Sequence, residues 1–425
     1  MKKKIKIFLG FREFANQYRL LERGFNKIHI KAKFYDLQPQ FFYEQKKCYY
    51  FDIIRLLNKK RSVSYNKSIF KKALWLLLHH IFVLPIFIYV LLKYNVFIFS
   101  NAESFFYNYF DYYIIKLFKK KLLCVFHGGE SRPPYVCGIS YAKYGDNVED
   151  YVKITKIKKS KIIKIEKYAD FIINAHTMSQ FNTTTCIHLH ALGFPFEQKN
   201  INIAIKKNDN NTIKIIHCPS SPEWKGTNEI RLIINDIIKS GYNITYEEYS
   251  KVPNKVILEK IASCDIVVDQ MYSDFAYTGL ALEASALGKP CILGGYAYDQ
   301  WENLQHFLPG TIYVHPSKIK EAIILLITDK NYREQVGQKA KHFVENYLSE
   351  IKVAERYLKV INNNYPKDWE YNPNECFYIK GVGNNEEKFR VIVKTMIEKY
   401  GINSLQIYDK PKLQNCYIKF AYKEL

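Results

Sequence analysis

Short apolar runs bounded by polar turns alternate with amphipathic stretches along most of this 425-residue chain. Residues 2–9 read as a first strand that ends at Gly10, and a polar turn over 10–17 leads into a helix through Arg23. A second strand fits 28–37, and further buried strands fit 95–100, 122–126 and 170–175. Beyond residue 212 the alternation becomes regular. Strands at 213–217, 243–247, 265–269, 291–294 and 311–314 interleave with helices near 227–239, 254–262, 279–287, 317–328 and 331–347. Such βαβα order predicts a parallel sheet covered by helices on both faces, with ligands at the carboxyl ends of its strands.

Three segments depart from that rhythm. Residues 206–211 are polar and turn-rich and read as a linker. From Ala73 to Leu92 only His79 and His80 are polar, with Pro85 inside. Length alone admits a transmembrane helix, but a span there would divide one sheet between two sides of a membrane. A buried or substrate-groove helix is therefore preferred, with a helix lying at a membrane interface next. The last sixty residues follow a break at 366–373. They read as a strand (376–380), a helix with one apolar face (Phe389, Ile392, Val393, Met396, Ile397, Tyr400) and two more strands at 404–408 and 415–421. The expected organisation is α/β: two Rossmann-like lobes at 1–200 and 212–349, a helix over 350–365 returning to the first lobe, and a small α/β appendage at 371–425.

Charge changes this picture. Residues 1–200 hold 34 Lys+Arg against 14 Asp+Glu, a net of +20, whereas 201–425 hold 29 against 27, a net of +2. A basic lobe suits an anionic membrane surface or anionic substrates. A solvated lysine-rich surface is the plain alternative. Nucleic acid is disfavoured, because no reader motif accompanies the charge. Nine scattered cysteines, without a C-x-x-C pair, suit a reduced compartment. The first ten residues are too briefly apolar for a signal peptide.

Candidate chemistry lies at two turns of the second lobe and two of the first. Lys225-Gly226 opens a helix behind the 213–217 run, and Thr278-Gly279-Leu280 opens another with Glu283 early in it. Helix N-termini offer unpaired N–H groups and a positive dipole end to phosphate. Lys225 adds a charge, and Glu283 can accept from ribose hydroxyls. In the first lobe, His127-Gly128-Gly129-Glu130-Ser131-Arg132 follows a strand, and Arg12, Glu13 and Asn16 stand in the first loop. Two glycines let backbone approach a substrate, and a histidine can donate to a sugar hydroxyl or a leaving oxygen. Asp265 and Asp269 bracket a strand and read as structural. His188 and His190 lack a third ligand, so no zinc site is expected.

Two α/β lobes, a linker and a phosphate-binding second lobe resemble the GT-B glycosyltransferases, and the 213–292 stretch resembles the retaining glycosyltransferase family 4. Lys225-Gly226 is similar to that family's donor pyrophosphate turn, and Gly279 and Leu280 to the stretch whose amides approach the diphosphate. Glu283 matches the second Glu of the family's E-x7-E motif, whereas the first falls on Phe275, beside Asp274. The segment at 127–132 resembles a His-Gly-x-Asp/Glu-x-Arg turn of some members, and 10–17 resembles the acceptor-facing first loop.

The resemblance implies a hexosyl-type transferase using a nucleotide diphosphate sugar, UDP-sugar foremost, without a further cofactor or metal. His127, Lys225 and Glu283 would be catalytic. The donor would be held by Lys225, Gly226, Thr278, Gly279, Leu280 and Glu283. Arg12, Glu13, Asn16, Gly128, Gly129, Glu130 and Arg132 would face the acceptor. Basic charge and the apolar 73–92 stretch add the expectation of a glycan or lipid-linked glycan acceptor. The enzyme would then be cytoplasmic and peripheral on the inner membrane face, in bacterial surface polysaccharide or glycolipid assembly. The rival readings are a non-catalytic nucleotide-binding scaffold of the same fold, an inverting transferase and a sugar-nucleotide epimerase.

Overall fold

The computed structural model describes residues 4–14, 16–38, 49–63, 69–197, 212–297, 310–381, 383 and 386–423. The expected linker at 206–211 lies outside them.

The first lobe runs β1 (Lys6–Phe11), α1 (Gln17–Lys27), β2 (Lys31–Asp36), α2 (Tyr49–Val63), α3 (Ile69–Lys93), β3 (Val96–Ser100), α4 (Phe110–Leu117), β4 (Lys121–Val125), α5 (Gly138–Tyr144), α6 (Val148–Tyr168), β5 (Phe171–Asn174), β6 (Cys186–His188) and α7 (Leu189–Leu192). Its strands lie in the order β2-β1-β3-β4-β5-β6, all parallel. Both faces are covered, which is why β1 and β3 are unbroken apolar runs. Ile7, Leu9, Ile98 and Leu123 face α1, while Phe8, Phe97, Phe99 and Leu122 face α3, α4 and α6.

The second lobe runs β7 (Ile213–His217), α8 (Pro222–Lys225), α9 (Thr227–Lys239), β8 (Ile244–Glu248), α10 (Asn254–Ala262), β9 (Ile266–Gln270), α11 (Gly279–Ala286), β10 (Cys291–Gly294), β11 (Ile312–Val314), α12 (Ile319–Thr328) and α13 (Lys330–Tyr347). Its order β8-β7-β9-β10-β11 repeats that of the first lobe. In each sheet the strand order reverses beside its first strand, between β1 and β3 and between β7 and β9. Crevices at such reversals are where open α/β sheets take ligands.

After α13, Ser349 starts α14 (Glu350–Ile361), which packs along α1 of the first lobe. Gly24 permits that approach, since a β-carbon there would strike the Glu350 carbonyl. Arg23 and Lys27 both pair with the Glu350 carboxylate. A two-residue strand, β12 (Glu370–Tyr371), then adds antiparallel to β6.

The C-terminal segment corrects the expectation of a further α/β unit. Residues 376–380 are irregular, and 402–405 form a single 3₁₀ turn. Residues expected as a strand at 415–421 belong to a helix, so the segment consists of α15 (Glu386–Tyr400) and α16 (Pro411–Ala421). Pro411 occupies a first-turn position where its missing N–H costs nothing. Leu413, Tyr417, Phe420 and Ala421 then fall on one buried face. A short apolar run does not by itself separate strand from helix, and the i, i+4, i+7, i+8 spacing decides here. These helices share the core of the first lobe's α6 side: Tyr417 meets Tyr135 edge-on, and Lys159 of α6 pairs with Asp409 at 2.7 Å.

Candidate active site

In the second lobe, charge gathers at the β7/β9 reversal. Asp269, fully buried at the end of β9, receives Lys225 Nζ at 2.6 Å on one carboxylate oxygen and the Thr278 hydroxyl on the other. The chain folds this way for local reasons. Gly226 follows Lys225 with φ of 69°, and a β-carbon there would also strike the Met271 side chain. The backbone N–H of Met271 donates to the Lys225 carbonyl at 2.9 Å, which ties the Lys-Gly turn to the end of β9. Thr278 is the N-cap of α11 and accepts the Ala281 N–H at 3.4 Å. The N-termini of α9 and α11 therefore both open at this reversal.

Gly279 is exposed, and a β-carbon there would meet nothing, so the space before α11 is open. Leu280 instead packs partly into the core. Glu283, one turn into α11, accepts from Asn254 Nδ2 at 2.7 Å. Burial pushes its carboxyl up to about 7; the Asn254 hydrogen bond opposes that rise and the Asp269 charge adds to it. Beneath the turn His217 bridges the Val268 carbonyl, at 2.8 Å, and the Thr227 hydroxyl, at 2.9 Å.

Behind β4 the first lobe presents a neutral group. His127 follows β4 and is buried. Its Nε2 lies 2.7 Å from the Tyr18 hydroxyl, while its Nδ1 has no hydrogen-bond partner among the described residues. Burial holds the imidazole neutral, with its pKa lowered to about 3. Phe14 stacks on the ring at 4.9 Å between centroids. Gly128 donates its N–H to Glu130 at 2.9 Å, and Lys158 Nζ donates to the Gly129 carbonyl at 2.6 Å, so this turn is closed on itself.

Three first-lobe residues expected to face an acceptor are engaged elsewhere. Glu13 is buried and accepts the N–H groups of Phe14, Tyr18 and Arg19 at 2.9, 3.0 and 3.1 Å, capping the start of α1. Desolvation nevertheless raises its pKa to about 7. Arg12 is half exposed and pairs with Glu103 at 3.3 Å. Arg132 is fully buried and pairs with Asp274 of the second lobe. Asn16 begins α1 with φ of 62° and lines a groove of about 650 Å³ together with Arg19, Arg23, Phe34 and Arg55.

The Arg132–Asp274 pair shows that the two carboxyl edges face each other. Asp274 also accepts from the Tyr378 hydroxyl at 3.0 Å, and its carbonyl accepts from Thr177 Oγ1 at 3.3 Å. Phe194 links His127 to Phe275 and Tyr277, with ring centroids 6.1, 6.4 and 5.6 Å away in that order. The segment 126–132 and the loop 271–278 thus face each other where the two lobes meet. Sequence reasoning missed Asp269, Asp274, Tyr18 and Phe14. An acid at the carboxyl end of a strand beside the reversal was a usable signal for Asp269. Nothing local marks the other three.

No family model matches the sequence, and no curated protein matches it. Solved structures with a similar course of chain include Anabaena HepE in complex with UDP and glucose (11% identity, TM-score 0.44, covering 84% of this chain and 100% of that one). A glycosyltransferase from Rickettsia africae (12%, 0.48, 85% and 99%) and sucrose-phosphate synthase from Thermosynechococcus elongatus (12%, 0.45, 85% and 99%) are others.

Proposed function

We propose that this chain is a glycosyltransferase that moves a hexosyl unit from a nucleoside diphosphate sugar, UDP-sugar foremost, to a hydroxyl acceptor. The observation that carries this reading is the convergence of Lys225 and Thr278 on buried Asp269 at the β7/β9 reversal, between two helix N-termini, with Glu283 one turn further on. A diphosphate needs that combination of fixed positive ends and one side-chain cation. In this reading Glu283 accepts from the ribose hydroxyls.

In transfer, the sugar–oxygen bond to the diphosphate breaks through an oxocarbenium-like transition state and negative charge grows on the leaving group. Lys225 and the amides before α9 and α11 stabilise that charge. Across the cleft, neutral His127 offers Nδ1 to a substrate hydroxyl. A buried imidazole nitrogen left unpaired costs about 1–3 kcal/mol, and a bound sugar would remove that cost. Tyr18 holds the ring through Nε2, and Phe14 covers its face. Lobe closure over the donor excludes water. The resemblance to family 4 supports a retaining course, and the basic, greasy first lobe supports a lipid-linked acceptor at the inner face of the cytoplasmic membrane.

The test is thermal melting against UDP, GDP, ADP, CMP and their sugars. A ligand at a hundred times its Kd adds about 2.7 kcal/mol, a shift of a few degrees. One nucleotide is expected to shift the melt, and Lys225→Ala and Glu283→Ala are expected to abolish that shift. A shift without sugar turnover would favour the non-catalytic scaffold, and no shift with any nucleotide would remove the proposal.

A further inference from the structure

The apolar 73–92 stretch forms α3, a 25-residue helix with Pro85 inside, and Ala73–Lys93 is long and apolar enough to cross a membrane. Its second half lies on the sheet, with Val83, Ile86, Phe87, Val90 and Leu91 buried at helical spacing. Only Tyr94 and Asn95 separate it from the inner strand β3, so a span would strip this face from the core.

The opposite face is another matter. Phe70, Leu74, Leu77, Ile81, Leu84, Ile88 and Leu92 recur at steps of three and four, and all are exposed, Phe70 at 84% and Leu92 at 74%. The neighbouring α4 continues the surface with Phe110, Tyr113 and Leu117 at i, i+3 and i+7. His80, one of the two polar residues of the stretch, joins the two segments by accepting the Tyr107 N–H at 3.0 Å. Ten large apolar side chains, each about half exposed or more, exceed the roughly 300–600 Å² patch that a typical monomer carries.

Geometry gives the patch a direction. At 1.5 Å per residue α3 is about 37 Å long, whereas the five residues of β3 cover about 17 Å. Before His79 no side chain described on α3 is buried. The helix runs opposite to β3, so this uncovered first half projects past the carboxyl edge of the sheet, the edge that holds His127 and the cleft. Beside it lies α2, whose Tyr50 hydroxyl donates to the Phe82 carbonyl at 2.6 Å and whose Lys60 Nζ sits 4.6 Å from the Trp75 ring centre.

Charge selects the occupant. Between Asp52 and Glu103 the sequence holds eight Lys and Arg and no carboxylate. On α4 the one acid, Asp111, is buried and accepts the Phe105 N–H. An apolar stripe whose projecting half is flanked by exposed Lys59, Lys60 and Lys71, with Asp52 at the far end of α2 paired to Arg55, matches a bilayer whose headgroups are anionic and whose interior is hydrocarbon.

We infer that the projecting half of α3, with α2 and the outer face of α4, is a wedge that seats in the interface of an anionic lipid bilayer and holds the cleft edge at the membrane. This deepens the proposed function, on whose lipid-linked acceptor its biological sense rests. The docking surface itself shares no residue with the nucleotide site, so either reading can fail alone.

The experiment floats the full chain with vesicles of pure phosphatidylcholine and with vesicles containing about one third phosphatidylglycerol. Binding is expected to be at least about tenfold stronger on the anionic vesicles and to weaken with salt. Leu74→Glu/Leu77→Glu should abolish it while leaving the melting temperature and any nucleotide-induced shift unchanged, because both side chains lie outside the core. Leu232→Glu, at an exposed leucine of α9 in the other lobe, should bind as wild type does. Failure of the wild type to float, or equal flotation of the Leu74→Glu/Leu77→Glu variant, overturns the inference. So does a dimer in light scattering that Leu77→Glu dissolves, because the stripe would then be covered by a second copy.

Discussion

The two sheets have the same strand order and reverse at equivalent places, yet the groups at the two reversals are of opposite character. At β7/β9 the side chains are charged and tied to one another: Lys225 and Thr278 on Asp269. At the β4 end beside β1/β3 a neutral cluster, His127 against Tyr18 and Phe14, stands next to charges already spent within the lobe, Glu13 on amides and Arg12 on Glu103. Topology therefore provides two crevices, and the side chains assign them different ligands. In the proposed function one takes the concentrated charge of a diphosphate, the other hydroxyls and apolar surface. Arg132–Asp274 is the joint between them.

The largest effect is expected at the joint. Arg132→Met leaves Asp274 buried with the Tyr378 hydroxyl and without its cation, which should cost about 3–5 kcal/mol of stability by denaturant unfolding. Adding Asp274→Asn should recover a large part of that loss, because the uncompensated charge is the main penalty. If Arg132→Met melts as wild type does, the pair does not hold the lobes together.

Next comes the charged crevice. Lys225→Ala should lower kcat by about 10²–10³, the scale of one lost charge-stabilising donor. Some stability is also lost, since Asp269 keeps only Thr278. Asp269→Asn in the Lys225→Ala background should restore the melting temperature without restoring turnover. Recovery of both would make Lys225 a structural partner of Asp269 and nothing more. His127→Asn tests the neutral side, and should lower kcat/KM while leaving the nucleotide melting shift intact.

Glu283 gives a pH-dependent difference. Its folded pKa is raised to about 7, above that of an unfolded carboxyl, so the folded protein binds the extra proton between about 4.5 and 7. Stability contributed by this group is complete at low pH and declines as pH rises through that window. Glu283→Gln removes the penalty of the buried charge and should stabilise the ligand-free protein by about 2 kcal/mol at pH 8, discounted for partial exposure. At pH 4 it should have no effect. The same substitution should weaken nucleotide binding at pH 8. A stability difference that does not vary with pH would show that Glu283 does not titrate in this window.

How much of this was written in the sequence follows from what each feature depends on. The elements of the second lobe fall within two residues of their expected places, because apolar period, Gly226 and Gly288, and the N-cap Thr278 are local signals. The apolar face of α15 was legible for the same reason. Strands expected at 404–408 and 415–421 were not there, since the segment's state is set by packing against α6 and by Pro411. Asp274 reads in sequence as a residue next to a motif position; only the fold shows that it meets Arg132 across the cleft. The exposed half of α3 was hidden too. Composition reveals that a helix is apolar, but which of its faces lacks a neighbour is decided by the sheet beneath it.

The smallest expected effect refines the charged crevice. Thr278 does two things with one hydroxyl: it donates to Asp269 and accepts the Ala281 N–H at the start of α11. Thr278→Ala removes both and should cost about 1 kcal/mol, the usual scale of a lost N-cap. It also frees the second oxygen of Asp269, which Lys225 can then bond as well, holding the cation away from the open space before α11. The nucleotide Kd should therefore rise a few-fold more than cap loss alone would explain. Thr278→Ser keeps the hydroxyl and should restore both quantities. If Ser restores stability but not affinity, the threonine methyl rather than its hydrogen bond shapes the crevice. Asp269 would then be holding Lys225 without help from the cap.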